Sequence, residues 1–82
     1  MLAPGTRYTE AVTVFYELSG DAARVRLKAF TPALTALGWD VELLESTTQQ
    51  NLFLLLCRGA DATPLPGDIP TGVRVWQFRR AA

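Results

Sequence analysis

Along this chain the spacing of apolar positions changes period several times, and each change marks an element. Tyr8–Leu18 alternates, with Val12, Val14, Tyr16 and Leu18 on one parity and Ala11, Thr13, Phe15 and Glu17 on the other. β-Branched and aromatic residues at period two predict a strand, and apolar groups on both parities place it inside a sheet. Ser19-Gly20-Asp21 punctuates, with Ser19 the expected helix cap and Asp21 suited to the first turn. From Ala22 to Leu37, steps of four and three bring Ala23, Leu27, Phe30, Leu34 and Leu37 to one face of a helix. Beside them runs a stripe of small residues, Ala22, Val25, Ala29, Ala33 and Ala36, which predicts close approach to a sheet. Arg24, Lys28, Thr31 and Thr35 form the wet stripe. The apolar stripe keeps its phase through Pro32, so one kinked helix is expected, ending at Gly38.

Trp39–Ser46 alternates again, Trp39, Val41 and Leu43 against Asp40, Glu42 and Leu44, a strand with one wet face. A polar turn over Ser46–Gln50 leads into Asn51–Arg58, which contains the unbroken apolar run Leu52–Cys57. Such a run predicts a central strand buried on both faces. Gly59–Gly72 holds Pro64, Pro66 and Pro70 together with three glycines, and reads as a long surface loop. Gly72–Arg80 closes the chain as a strand, with Val73, Val75 and Gln77 on one face and Arg74, Trp76 and Phe78 on the other. Residues 1–7 read as a flexible tail with a Pro4-Gly5 turn.

The order strand, helix, strand, strand, loop, strand predicts one small α+β domain over residues 1–82. Its sheet would be four-stranded and mainly antiparallel, with one helix on one face. Its order would be ferredoxin-like, β-α-β-β-β, with the loop at 59–72 in place of the second helix. That topology puts the first and third strands, the most apolar ones, at the centre. One helix covers only part of one sheet face. The opposite face is expected to display Phe15, Leu44, Trp76 and Phe78.

Composition sharpens this picture. Apolar residues make up 49% of the 82 residues and charged ones 20%. A domain this short has a thin stability margin, so a partner covering apolar surface is a natural supplement. Eight basic residues balance eight acidic ones, which gives no global pull toward nucleic acid or an anionic membrane. The chain has no histidine and one cysteine. Ser-His-Asp triads, imidazole zinc sites and intrachain disulfides are thereby excluded. The lone thiol fits a reducing, cytoplasmic setting. No apolar run approaches bilayer length, and the first residues lack the order of a signal peptide.

Candidate chemistry is sparse, and no catalytic residue or cofactor is expected. Cys57 follows three leucines and reads as core. Asp40 and Glu42 share a strand face and read as solvated. Glu17, at the end of the first strand, and Asp21, at the helix start, are the candidate metal ligands. Arg24 and Lys28 on the helix, with Arg74, Arg79 and Arg80 near the C-terminus, are the candidate nucleic-acid contacts.

The stretch Val14-Phe15-Tyr16-Glu17-Leu18-Ser19-Gly20-Asp21, followed by Arg24 and Arg26-Leu27-Lys28, resembles the start of the small CRISPR-adaptation nuclease subunit. Val73-Arg74-Val75-Trp76 is similar to that family's final strand. The resemblance implies a ferredoxin-like fold and dimerisation. It also implies an acidic metal ligand after the tyrosine of the first strand, where Glu17 stands in place of the family's usual Asp. Apolar content beyond what one helix can cover makes the expected function a non-enzymatic interaction module that dimerises or docks a protein partner through an uncovered apolar sheet face. The alternative is a nucleic-acid-binding, nuclease-like dimer.

Overall fold

The computed structural model describes residues 11–81. The expected tail at 1–7 and the start of the first strand at Tyr8 lie outside them. Within them the elements are β1 (Ala11–Ser19), α1 (Ala23–Ala36), β2 (Asp40–Glu45), β3 (Leu52–Ala60) and β4 (Arg74–Arg79). They form an α+β fold, a four-stranded sheet in the order β2-β3-β1-β4 with every neighbouring pair antiparallel. The two most apolar strands, β1 and β3, lie at its centre.

α1 packs against β1, β2 and β3 and leaves β4 aside. Ala23, Leu27, Phe30 and Leu34 are its buried residues. They meet Val12, Val14, Tyr16 and Leu18 of β1 and Phe53, Leu55 and Cys57 of β3 in one core. Tyr16 and Phe30 cross edge to face with ring centroids 5.2 Å apart, a favoured aromatic geometry.

The helix runs without interruption through Pro32. It ends in a Schellman turn: Gly38 N–H donates to Thr35 O at 3.0 Å and Trp39 N–H to Leu34 O at 3.2 Å. Gly38 sits at φ 106°, a conformation that suits glycine.

Two helical expectations fail. Ser19 does not cap α1: it is the last residue of β1, and Ala22 occupies the cap position with no side-chain hydrogen bond. The turn is held instead from the β2–β3 loop, where Gly20 N–H donates to Asn51 O at 2.9 Å and Asn51 Nδ2 donates to Asp21 Oδ1 at 3.4 Å. The small stripe Ala22, Val25, Ala29, Ala33 and Ala36 is exposed and does not approach the sheet. Among the described residues α1 is the only helix.

β3 continues two residues past its expected end, through Gly59 and Ala60. β3 and β4 are each antiparallel to β1, so the connection between them must travel back along the sheet. The intervening segment makes that journey without regular structure, pinned at defined points. Trp39 Nε1 donates to Pro64 O at 2.8 Å, Ala60 N–H to Thr63 Oγ1 at 2.9 Å, and Arg26 to Thr71 O at 2.6 Å. Trp39, 4% exposed, is the main anchor.

This contact explains Gly59. A Cβ there would stand 2.7 Å from Trp39 Cε3 and Cζ3 and 3.0 Å from Thr63 Oγ1. Gly59→Ala must therefore displace a buried indole. We expect it to lower stability by about 1–3 kcal/mol, the usual effect of overpacking, read as a lower urea midpoint with an unchanged slope. An unchanged midpoint would show that Trp39 moves freely and does not anchor the loop.

Candidate functional site

Strand pleating sends alternate residues to opposite faces. On the helix side the even residues of β1 and the odd residues of β3 are buried. The other face has no element over it among the described residues. Its rows can be read from the strand registers. Across β2, β3, β1 and β4 they are Asp40-Arg58-Thr13-Phe78, then Glu42-Leu56-Phe15-Trp76, then Leu44-Leu54-Glu17-Arg74. Leu52 extends the apolar surface beyond the third row.

The four residues expected on this face, Phe15, Leu44, Trp76 and Phe78, do lie on it together. Phe15 and Leu44 are half-buried, while Trp76 and Phe78 are 46% and 52% exposed. Phe15 and Phe78 pack edge to face at 5.6 Å between centroids. Trp76 Nε1 donates to Glu17 Oε1 at 3.2 Å, which ties the indole to the central strand. An open cleft of about 420 Å³ lies at one end of the face, lined by Glu17, Leu44, Leu52 and Leu54 among others.

β3 corrects an expectation. Phe53, Leu55 and Cys57 are buried under the helix, but Leu52, Leu54 and Leu56 are only half-buried on the open side. The apolar run reads as a strand covered twice, and the described residues cover it once. That mismatch also identifies leucines of the open face that the sequence reading did not single out.

The candidate ionic residues are not gathered on one surface. Glu17 projects on the open face, whereas Asp21 sits in the turn into α1, which packs on the other face. Among the described residues no group of three or more His, Cys, Asp or Glu stands close enough to hold a metal ion. Arg24 and Lys28 are exposed on α1, Arg74 lies on the open sheet face, and Arg79 pairs with Asp61 at 3.2 Å on the helix side of β4. Arg80 follows that strand, exposed. Cys57 is fully buried, and burial pushes its thiol up to about 11. Tyr16, beside it in the core, is pushed up to about 12 by burial and then by the Cys57 charge. Neither group is poised as a nucleophile at neutral pH.

No helix among the described residues is long and apolar enough to cross a membrane. No family model, no curated protein and no solved structure matches the chain. The resemblance noted over Val14–Lys28 and Val73–Trp76 therefore rests on those residues alone.

Proposed function

We propose that this protein is a small non-enzymatic assembly module whose working surface is the open face of its sheet. The observation that carries the reading is the continuous apolar surface of Phe15, Leu54, Leu56, Trp76 and Phe78 with no element over it among the described residues. Exposed apolar patches of this kind mark interaction sites, and aromatic residues at their centre dominate binding energetics. A ferredoxin-like fold, with a pinned crossover segment in place of the second helix, is part of the proposal. The central β1 and β3 and the uniformly antiparallel pairing speak for it.

Trp76→Glu places a charge on this surface, in the middle row of its edge strand β4, without touching the core. We expect association to weaken by ~30-fold or more, while the thermal midpoint moves by only a few degrees. The comparison is made on solution mass across a dilution series and on what immobilised wild-type and variant protein retain from cell extract. Equal mass and equal retention would remove the open face from consideration.

A further inference from the structure

We propose that the occupant of the open face is a second copy of this chain, packed face to face about a two-fold axis, with each Arg58 against the partner's Glu17. The proposal rests on the reading of that face as an assembly surface and names what covers it.

The two central strands carry one charge each on this face. They are opposite in sign and lie diagonally across it, Arg58 opposite Thr13 in the first row and Glu17 opposite Leu54 in the third. Their midpoint is the Leu56–Phe15 pair, which is also the centre of the face. Strands about 4.8 Å apart and same-face residues about 6.8 Å apart put the two Cα atoms about 14 Å from each other in one copy.

Stacked antiparallel sheets keep their strands within about 30° of alignment, in a fixed sense set by sheet twist. A strand–helix–strand crossover is right-handed, which decides the side from which the second sheet approaches. A two-fold axis through the Leu56–Phe15 pair at that angle then projects Arg58 to within about 1 Å of the partner's Glu17. The pair forms twice by symmetry. The same operation sets Phe78 over the partner's Trp76 and leaves Leu56 and Phe15 meeting their own copies. An isologous interface requires this kind of self-complementary patch. Trp76 holds one Glu17 oxygen, and the other remains for the guanidinium.

The sheet edges argue against self-pairing there. β2 carries Asp40, Glu42 and Glu45, and β4 carries Arg74 and Arg79 with Arg80 directly after it. Joining two β2 edges or two β4 edges sets like charges against each other. The open face spans about 400 Å² of flat sheet. Two such faces total about 800 Å², below stable specific interfaces and in the range of weak, transient ones, so the dimer is expected to dissociate in the micromolar range.

Sedimentation of four full-length proteins decides the matter: wild type, Arg58→Glu, Glu17→Arg and the double exchange. Wild type should be a dimer at about 100 μM. Each single exchange, which opposes like charges twice, should weaken the dimer by ~100-fold or more. The double exchange should recover most of the loss. Both positions are at the surface or half-buried, and circular dichroism at low concentration checks that each variant folds. A double exchange no better than the singles would overturn the pairing, and mass growing beyond two copies would overturn the two-fold arrangement. A wild-type monomer at this concentration would overturn the second copy as occupant. The assembly reading itself fails separately, when Trp76→Glu changes neither mass nor retained partners.

Discussion

Leu55→Ala is expected to remove a large share of the fold's stability, while Leu56→Ala, one residue along the same strand, removes little. Leu55 has no exposed surface and lies between Tyr16 and Leu43 in the register. Truncation there removes buried methyl groups and opens a cavity under Leu27 and Leu34, a change worth about 2–5 kcal/mol. A domain of this length holds about 4–12 kcal/mol in all, so the loss takes a large share. Leu56 points the other way and is half-buried. Its truncation should lower stability by about 1 kcal/mol when measured at dilution, and should instead weaken association. Urea unfolding of both variants, at a concentration where the wild type is monomeric, checks the contrast. Equal losses at the two positions would mean that the face opposite the helix is not bare.

The contrast between neighbouring leucines also shows how far the elements were legible in the chain. Local periodicity identified the helix face of Ala23, Leu27, Phe30 and Leu34, and the parity of Trp76 and Phe78 against Val75 and Gln77. These patterns follow from backbone geometry within one element, so a short window of residues carries them. What periodicity misjudged depended on distant parts of the chain. β3 runs on through Gly59 and Ala60 because both pair with β1, far away in sequence, opposite Val12 and Ala11. The turn into α1 is held by Asn51 and not by Ser19, because the β2–β3 loop reaches it. The small stripe on α1 stays wet because no described element packs against it, an absence that α1's own residues do not record.

The open face was only half legible for a related reason. Phe15, Leu44, Trp76 and Phe78 announced themselves as large side chains on strands with a polar neighbour. Leu52, Leu54 and Leu56 did not, because an unbroken apolar run suits a strand covered twice, whether by its own fold or by another molecule. The described residues supply one cover. The run is consistent in both local and global terms once the second cover is a partner. Arg58 and Glu17 gained meaning only when the registers placed them diagonally across one centre.

Alkali should unfold this protein in a window that its core prescribes. Cys57 ordinarily loses its proton near 9.0 and is held to about 11 by burial. Tyr16 ordinarily does so near 10.0 and is held to about 12, by burial and by the neighbouring thiolate. Both groups are neutral in the fold over a range where the unfolded chain ionises them. Their contribution to stability is fully present below the unfolded values and is lost as pH rises toward the folded ones. Each contribution is about 3 kcal/mol, and together they rival the total for a small domain. Below about pH 9 the two groups should add no slope to stability, and unfolding should set in between about pH 10 and pH 12. Tyr16→Phe and Cys57→Val should each move the alkaline midpoint upward, provided their stability near neutrality is measured and subtracted. In the native state at about pH 8, Cys57 should react with a thiol reagent only as fast as the sheet opens. Rapid labelling of the folded protein, or a β-sheet spectrum that persists beyond pH 12 with wild-type residues in place, would show that the two groups are not sealed beneath α1.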